Sequence, residues 1–90
     1  MGRNHDIPMT RLAAVCGRTE NAIYKIYAGI NGCTTEMAVL FEAATGVNRR
    51  QWAWPEDYGN PWDTWRRKGF RFLTMDAQAT ISARRNAAVA

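Results

Sequence analysis

Histidine, cysteine and long apolar runs are scarce in this chain, and each scarcity excludes something. The one histidine, His5, lies in a polar N-terminal run without cysteine, histidine or carboxylate partners at ligand spacing, so no metal site is indicated. Two cysteines, Cys16 and Cys33, are too few for a disulfide scaffold and fit a reducing cytoplasm. No apolar run approaches the roughly 20 residues that span a bilayer. The first nine residues lack the apolar core and cleavage pattern of a secretory signal. Paired carboxylates in a polar cluster and a glycine-rich phosphate loop are both missing, so nothing points to an enzyme or to a bound cofactor. Ninety residues leave room for one small domain.

Aromatic residues compensate for the short length. Four Trp, three Tyr and three Phe bring large apolar areas per residue, which lets a chain this small gather a core. Charge is divided unevenly along the sequence. Up to Trp65 six basic residues face seven acidic ones, a balance of −1, whereas six basic residues and Asp76 follow, a balance of +5. A basic end of this kind suits a polyanionic partner or a solvated surface.

The most informative stretch runs from Leu12 to Gly29. Leu12, Ala13 and Cys16 share one side of a first helix, Arg11 to Cys16, with Thr10 as its expected cap. Gly17 falls where the chain must reverse, a place that favours a residue free to take positive φ. Thr19 can then cap a second helix over Glu20 to Ala28, and Glu20 complements its dipole. Ile23, Ile26, Tyr27 and Ile30 mark the buried side of that helix; Asn21, Tyr24, Lys25 and Ala28 lie opposite, with Glu20 on the flank. Two helices across a tight turn form a helix-turn-helix pattern.

Leu12-Ala13, Gly17, Ile23, Ile26 and Gly29 fall in the register of the Cro/CI-like, lambda-repressor-like helix-turn-helix family, which residues 9–54 resemble. The string Ala44-Thr45-Gly46-Val47 with Arg50, followed by Trp54-Pro55-Glu56 and Tyr58, is similar to the end of Cro-like proteins of phages and prophages, where the chain leaves as an extended arm. The resemblance implies an all-α fold, a small bundle of about four helices, and a recognition helix over residues 20–28. It implies base contacts from Glu20, Asn21, Tyr24 and Lys25, since Asn matches an adenine edge, Glu a cytosine amine, Lys a guanine, and a Tyr ring a thymine methyl. It also implies phosphate contacts from Thr10 and Arg11 at the start of the first helix, with Arg18 and Thr19 beside the turn as further candidates.

Downstream, Thr34 or Thr35 opens a third helix in which Met37, Leu40, Phe41 and Ala44 form an apolar stripe. Asn48 and Gln51 stand at capping-box spacing, and Val47 and Trp52 at the places of a hydrophobic staple, for a short fourth helix. Arg49 and Arg50 oppose the dipole of its first turn, which suggests phosphate contact as their use. Residues 55–75 read as an aromatic and basic arm: irregular around the Pro, Gly and Asn residues, with a helical turn from Trp65 to Lys68 and a strand-like alternation at Phe70 and Phe72. Trp54, Tyr58, Trp62 and Trp65 wrap the core or meet a second subunit. Arg66, Arg67, Lys68 and Arg71 are candidate DNA-backbone contacts. Residues 1–8 read as flexible, and residues 76–90 as weakly helical or disordered.

These features lead to a sequence-specific DNA-binding regulator, a phage-type repressor that binds a palindromic operator in double-stranded DNA as a homodimer. The alternative is a protein-interaction or antitoxin-like adaptor domain on the same fold, with another protein as partner. RNA binding is a third reading. A basic surround to Asn21, Tyr24 and Lys25 favours DNA; an acidic or apolar one favours a protein.

Overall fold

The computed structural model describes residues 6–89, so the flexible run expected over residues 1–8 and His5 lie largely or wholly outside the described residues. Among those residues the chain is all-helical: α1 (Met9–Cys16), α2 (Glu20–Tyr27), α3 (Thr35–Thr45), α4 (Arg49–Ala53), α5 (Pro55–Tyr58), α6 (Pro61–Arg67) and α7 (Ala77–Val89). No described helix is long and apolar enough to cross a membrane.

α3 is the centre. The expected stripe of Met37, Leu40, Phe41 and Ala44 is buried, and so are Ala38, Ala43 and Thr45, because α1, α4 and α7 all pack around this helix. Thr34 caps it by accepting from the Met37 amide at 3.2 Å. At the far end the Thr45 hydroxyl donates to the Phe41 carbonyl at 2.7 Å and accepts from the Val47 amide at 3.2 Å, which satisfies the one polar side chain in the described core.

α1 begins two residues earlier than the sequence suggests. Ile7 and Met9 are both buried, and drawing them into the core brings the helix start to Pro8, whose carbonyl accepts from Leu12 N–H at 3.0 Å. Thr10 therefore sits inside the first turn instead of capping it. The α4 start also differs from the capping-box expectation. Asn48 accepts from the Arg50 amide at 2.8 Å, but the Gln51 side chain turns away to Thr64 Oγ1 at 2.9 Å. The staple residues Val47 and Trp52 are both buried, and the Trp52 indole donates to the Val47 carbonyl at 3.1 Å.

The largest departure lies after Trp54. In place of an extended arm the chain makes two short helices and re-enters the core. Pro55 and Pro61 each occupy a first-turn position, where a missing N–H costs nothing. Asn60 accepts from the amides of both Trp62 and Asp63. Trp62 and Trp65 are 7% and 0% exposed, so neither can serve as the dimer contact expected of it. They stand edge-on to Tyr27, Phe41, Trp52, Phe70 and Phe72 at centroid separations of 4.8 to 5.8 Å and tilted to each other at 6.5 Å, a geometry that aromatic quadrupoles favour. The Trp65 indole donates to the Arg71 carbonyl at 2.8 Å. Phe70 and Phe72 follow no strand; Phe70 takes φ 54° after Gly69, folding the chain back so that both rings meet Trp65.

Of the two readings of residues 76–90, weakly helical or disordered, the helical one holds over Ala77–Val89, which forms α7. Asp76 caps it by accepting from the Ala79 amide at 3.1 Å. Ala77 is fully buried and Ile81 packs at the edge of the core, so α7 lies on α3 and α1.

Candidate nucleic-acid interface

The α1–α2 turn is built as its residue types require. Gly17 has φ 67°, ψ 37°; its N–H donates to the Ala14 carbonyl and that of Arg18 to the Ala13 carbonyl, which closes α1 with the chain already reversing. Thr19 is extended and accepts from the Ala22 amide at 3.1 Å. Leu12, Ala13, Cys16 and Ile23 are buried between the two helices and α3. The turn is further held by a residue that sequence reasoning missed. Gln78 of α7 donates its amide to the Cys16 carbonyl at 3.2 Å, and its side chain lies so close to Gly17 that a Cβ there would come within 2.8 Å. A contact across 62 residues leaves no local sequence signal.

On α2, Glu20 and Asn21 are exposed, while Tyr24 and Lys25 are half-buried on the flank of the core. Ile26 and Tyr27 pack inward as expected, and the Tyr27 ring meets Trp62 at 5.1 Å. Ile30 does not; it is 65% exposed. α2 ends at Tyr27, Gly29 turns the chain with φ 78°, and the amides of Ile30 and Asn31 both close on the Lys25 carbonyl, so Ile30 leaves the helical face.

The candidate phosphate contacts divide into two groups. Arg18 pairs with Glu36 at 2.8 Å. Arg49 pairs with Glu42, which also accepts from the Arg49 amide at 3.0 Å, so a carboxylate at the start of α4 offsets the unfavourable placement of that cation. Arg66 is held by Asp6 and Asp63, and the hydrogen bonds it donates to Asp6, followed by the Asp6 charge and the hydrogen bond and charge of Asp63, push its guanidinium further up from its ordinary pKa. Arg11 lies over the Phe72 ring at 4.6 Å and reaches Met75 Sδ. Thr10, Thr19, Arg50, Arg67, Lys68 and Arg71 are exposed, and the four cations among them form no ion pair with described residues. Glu36 and Glu42 are thus the unforeseen residues of this surface; they decide which arginines are available. α2 itself carries one acid, Glu20, and one cation, Lys25.

Of the aromatic residues expected at a dimer contact, Trp54 and Tyr58 remain on the surface, 54% and 51% exposed. Two grooves border the helix-turn-helix. One of about 620 Å³ runs between the turn, α3 and α7, floored by Val39, Leu40 and Ile81 and edged by Arg18, Glu36 and Arg85. Another of about 360 Å³ lies between the end of α2 and α4–α6, lined by Ile26, Tyr27, Cys33, Trp52, Glu56 and Trp62 among others. Burial pushes the Cys33 thiol up to about 11 and the Cys16 thiol up to about 12, the latter against the lowering influence of Arg18, so both stay protonated and weakly nucleophilic at neutral pH. Both are free thiols, and no cluster of three or more His, Cys, Asp or Glu suited to a metal ion occurs among the described residues. No family model, curated protein or solved structure matches this chain.

Proposed function

We propose that this protein is a sequence-specific DNA-binding regulator of the phage-repressor type, working in the cytoplasm as a homodimer on a palindromic operator, with α2 as its recognition helix. The observation that carries the reading is the α1–α2 unit: a left-handed glycine turn, a capped second helix, a shared apolar seam, and Glu20 and Asn21 presented to solvent at the N-terminal end of that helix. Helix-turn-helix proteins read base edges from that end. Asn21 is assigned to an adenine and Glu20 to a cytosine amine, with Lys25 and Tyr24 along the flank. Thr10, Arg11, Thr19 and Arg50 supply phosphate contacts, joined by Arg71 from the C-terminal half. Arg18, Arg49 and Arg66 are engaged by carboxylates and are left out of the set.

The balance of one acid and one cation on α2 and the exposed Trp54 and Tyr58 beside Glu56 and Asp57 favour the second reading, an adaptor whose aromatic surface binds another protein. A selection from random duplex oligonucleotides separates the two. The DNA reading expects enrichment of a two-fold symmetric sequence; recovery of unenriched sequence supports the adaptor. Asn21→Ala is expected to weaken binding to the enriched site by about 1 to 3 kcal/mol and relax one position per half-site, with little change on random DNA. Equal loss on both would remove Asn21 from base recognition.

A further inference from the structure

The groove between the α1–α2 turn, α3 and α7 has a volume of about 620 Å³, within the roughly 300 to 1,000 Å³ typical of small-molecule sites. Two helix faces build it. Thr35, Glu36, Val39 and Leu40 come from one side of α3, and Gln78, Ile81, Ser82 and Arg85 stand at i, i+3, i+4 and i+7 on one side of α7. Leu40 is buried and Val39 and Ile81 are half-buried, so the groove has an apolar floor. Its remaining lining is rich in donors. Arg18 is already engaged, donating to Glu36 at 2.8 Å and to the Gly17 carbonyl at 3.3 Å, and the Gln78 amide donates to the Cys16 carbonyl. Arg85 and the hydroxyls of Thr35 and Ser82 make no ion pair or hydrogen bond with a described residue. Two guanidinium groups thus share the groove with one carboxylate, and Arg18 has taken it.

An apolar floor beside a surplus guanidinium and two unengaged hydroxyls is complementary to an amphipathic anion. We propose that this groove binds a small organic anion, with an apolar body against Val39, Leu40 and Ile81 and a carboxylate head on Arg85, where Ser82 and Thr35 are further donors. The planar fork of an arginine matches a carboxylate with two parallel hydrogen bonds. Small-molecule sites combine a mainly apolar contact with a few polar groups that fix orientation, and this lining supplies both. A cationic ligand is opposed by the charge of the lining. A DNA phosphate would satisfy Arg85 but leave the apolar floor unused. The site stands whether or not α2 reads DNA.

Titration of the whole chain with octanoate and with 2-naphthoate, followed by nuclear magnetic resonance, tests this, with octanamide and 2-naphthamide as matched neutral compounds. Saturable shifts are expected at the methyl groups of Val39, Leu40 and Ile81 and at the side-chain amide of Gln78. Each carboxylate is expected to bind about tenfold more tightly than its amide, the worth of one charge-assisted hydrogen bond. Arg85→Gln changes an exposed side chain without a described partner, so the fold should persist; it is expected to remove the advantage of the carboxylates and to leave binding of the amides unchanged. Equal affinity for acid and amide in the wild-type chain reduces the groove to an apolar surface and overturns the proposal. Shifts centred on the other groove, or no saturable shift with either carboxylate, overturn it as well. An Arg85→Gln chain that binds the carboxylates normally, while its DNA affinity loses salt dependence, assigns Arg85 to a phosphate and overturns the anion site without touching the DNA-binding reading.

Discussion

At Gly17 the backbone stands at φ 67°, and an added Cβ would lie 2.8 Å from Nε2 of Gln78. Two penalties meet at one position: the left-handed conformation costs an L-residue roughly 1 to 2 kcal/mol, and the Gln78 amide must move off the Cys16 carbonyl. Gly17→Ala is expected to lower stability by about 2 kcal/mol in urea denaturation, the sum of that strain and part of one hydrogen bond. An unchanged midpoint would mean that the turn is not held as described. The tryptophans provide the opposite contrast, since four residues of one type occupy two environments. Trp62→Ala opens a void among the rings of Tyr27, Phe41, Trp52 and Trp65 and is expected to cost about 3 to 5 kcal/mol, a large share of the roughly 5 to 13 kcal/mol that a chain of this length holds at 0.05 to 0.15 kcal/mol per residue. Trp54→Ala removes a ring that is 54% exposed and should change the stability of the monomer by no more than about 0.5 kcal/mol. Thermal or urea unfolding of the two variants side by side checks the burial of Trp62 independently of any question of association.

Among the elements, α7 is the one whose two halves differ most. Its first turns hold Ala77, Gln78 and Ile81 against α1, α3 and the turn, whereas Ser82 to Asn86 are all exposed. A short helix without packed side chains is marginal in water, because nucleation is costly and tertiary contact supplies most helical stability. Amide hydrogen exchange is therefore expected to be slowest in α3 and in α7 near Ile81, and faster by orders of magnitude at Arg84 to Asn86, where no side chain is packed. Uniform protection along α7 would require a partner covering its second half. α6 illustrates the converse. With only seven residues it has little helical preference of its own, yet a doubly used Asn60 cap, Pro61 at the first position and two buried indoles fix it in place.

For the whole molecule the net charge of +4 is a poor guide to polyanion binding, since the structure neutralises Arg18, Arg49 and Arg66 internally. What matters is which cations remain unpaired. On the DNA-binding proposal Arg50 and Arg71 each neutralise a phosphate. Changing both to Gln should then reduce the slope of log affinity against log salt by about 1.8 per subunit, at about 0.9 for each phosphate. Specificity for the selected site should stay nearly constant. A slope that does not move in the folded variant would transfer the phosphate contacts to Thr10, Thr19 and Arg11.

The sequence by itself determined what is local. Gly17 at a reversal, Thr19 and Thr34 one residue before a helix, and apolar residues at 3.6-residue spacing on α1, α2 and α3 act over a few neighbours, and all but Ile30, which lies past the end of α2, are found where their chemistry requires. The register of Val47 against Trp52 belongs to the same class, since a staple spans five residues. Contacts between distant parts were decided by tertiary structure. Proline, glycine and asparagine between Trp54 and Trp62 argue for irregular chain, and only the space beside Phe41 and Trp52 makes α6 worth forming there. The sequence leaves Trp62 and Trp65 a choice between the core and a second subunit; edge-to-face packing against neighbouring rings puts both in the core. In the same way Glu36 and Glu42 claim Arg18 and Arg49, and Gln78 locks the turn from 62 residues away. Burial and ion pairing depend on which surfaces meet, and that depends on the path of the whole chain.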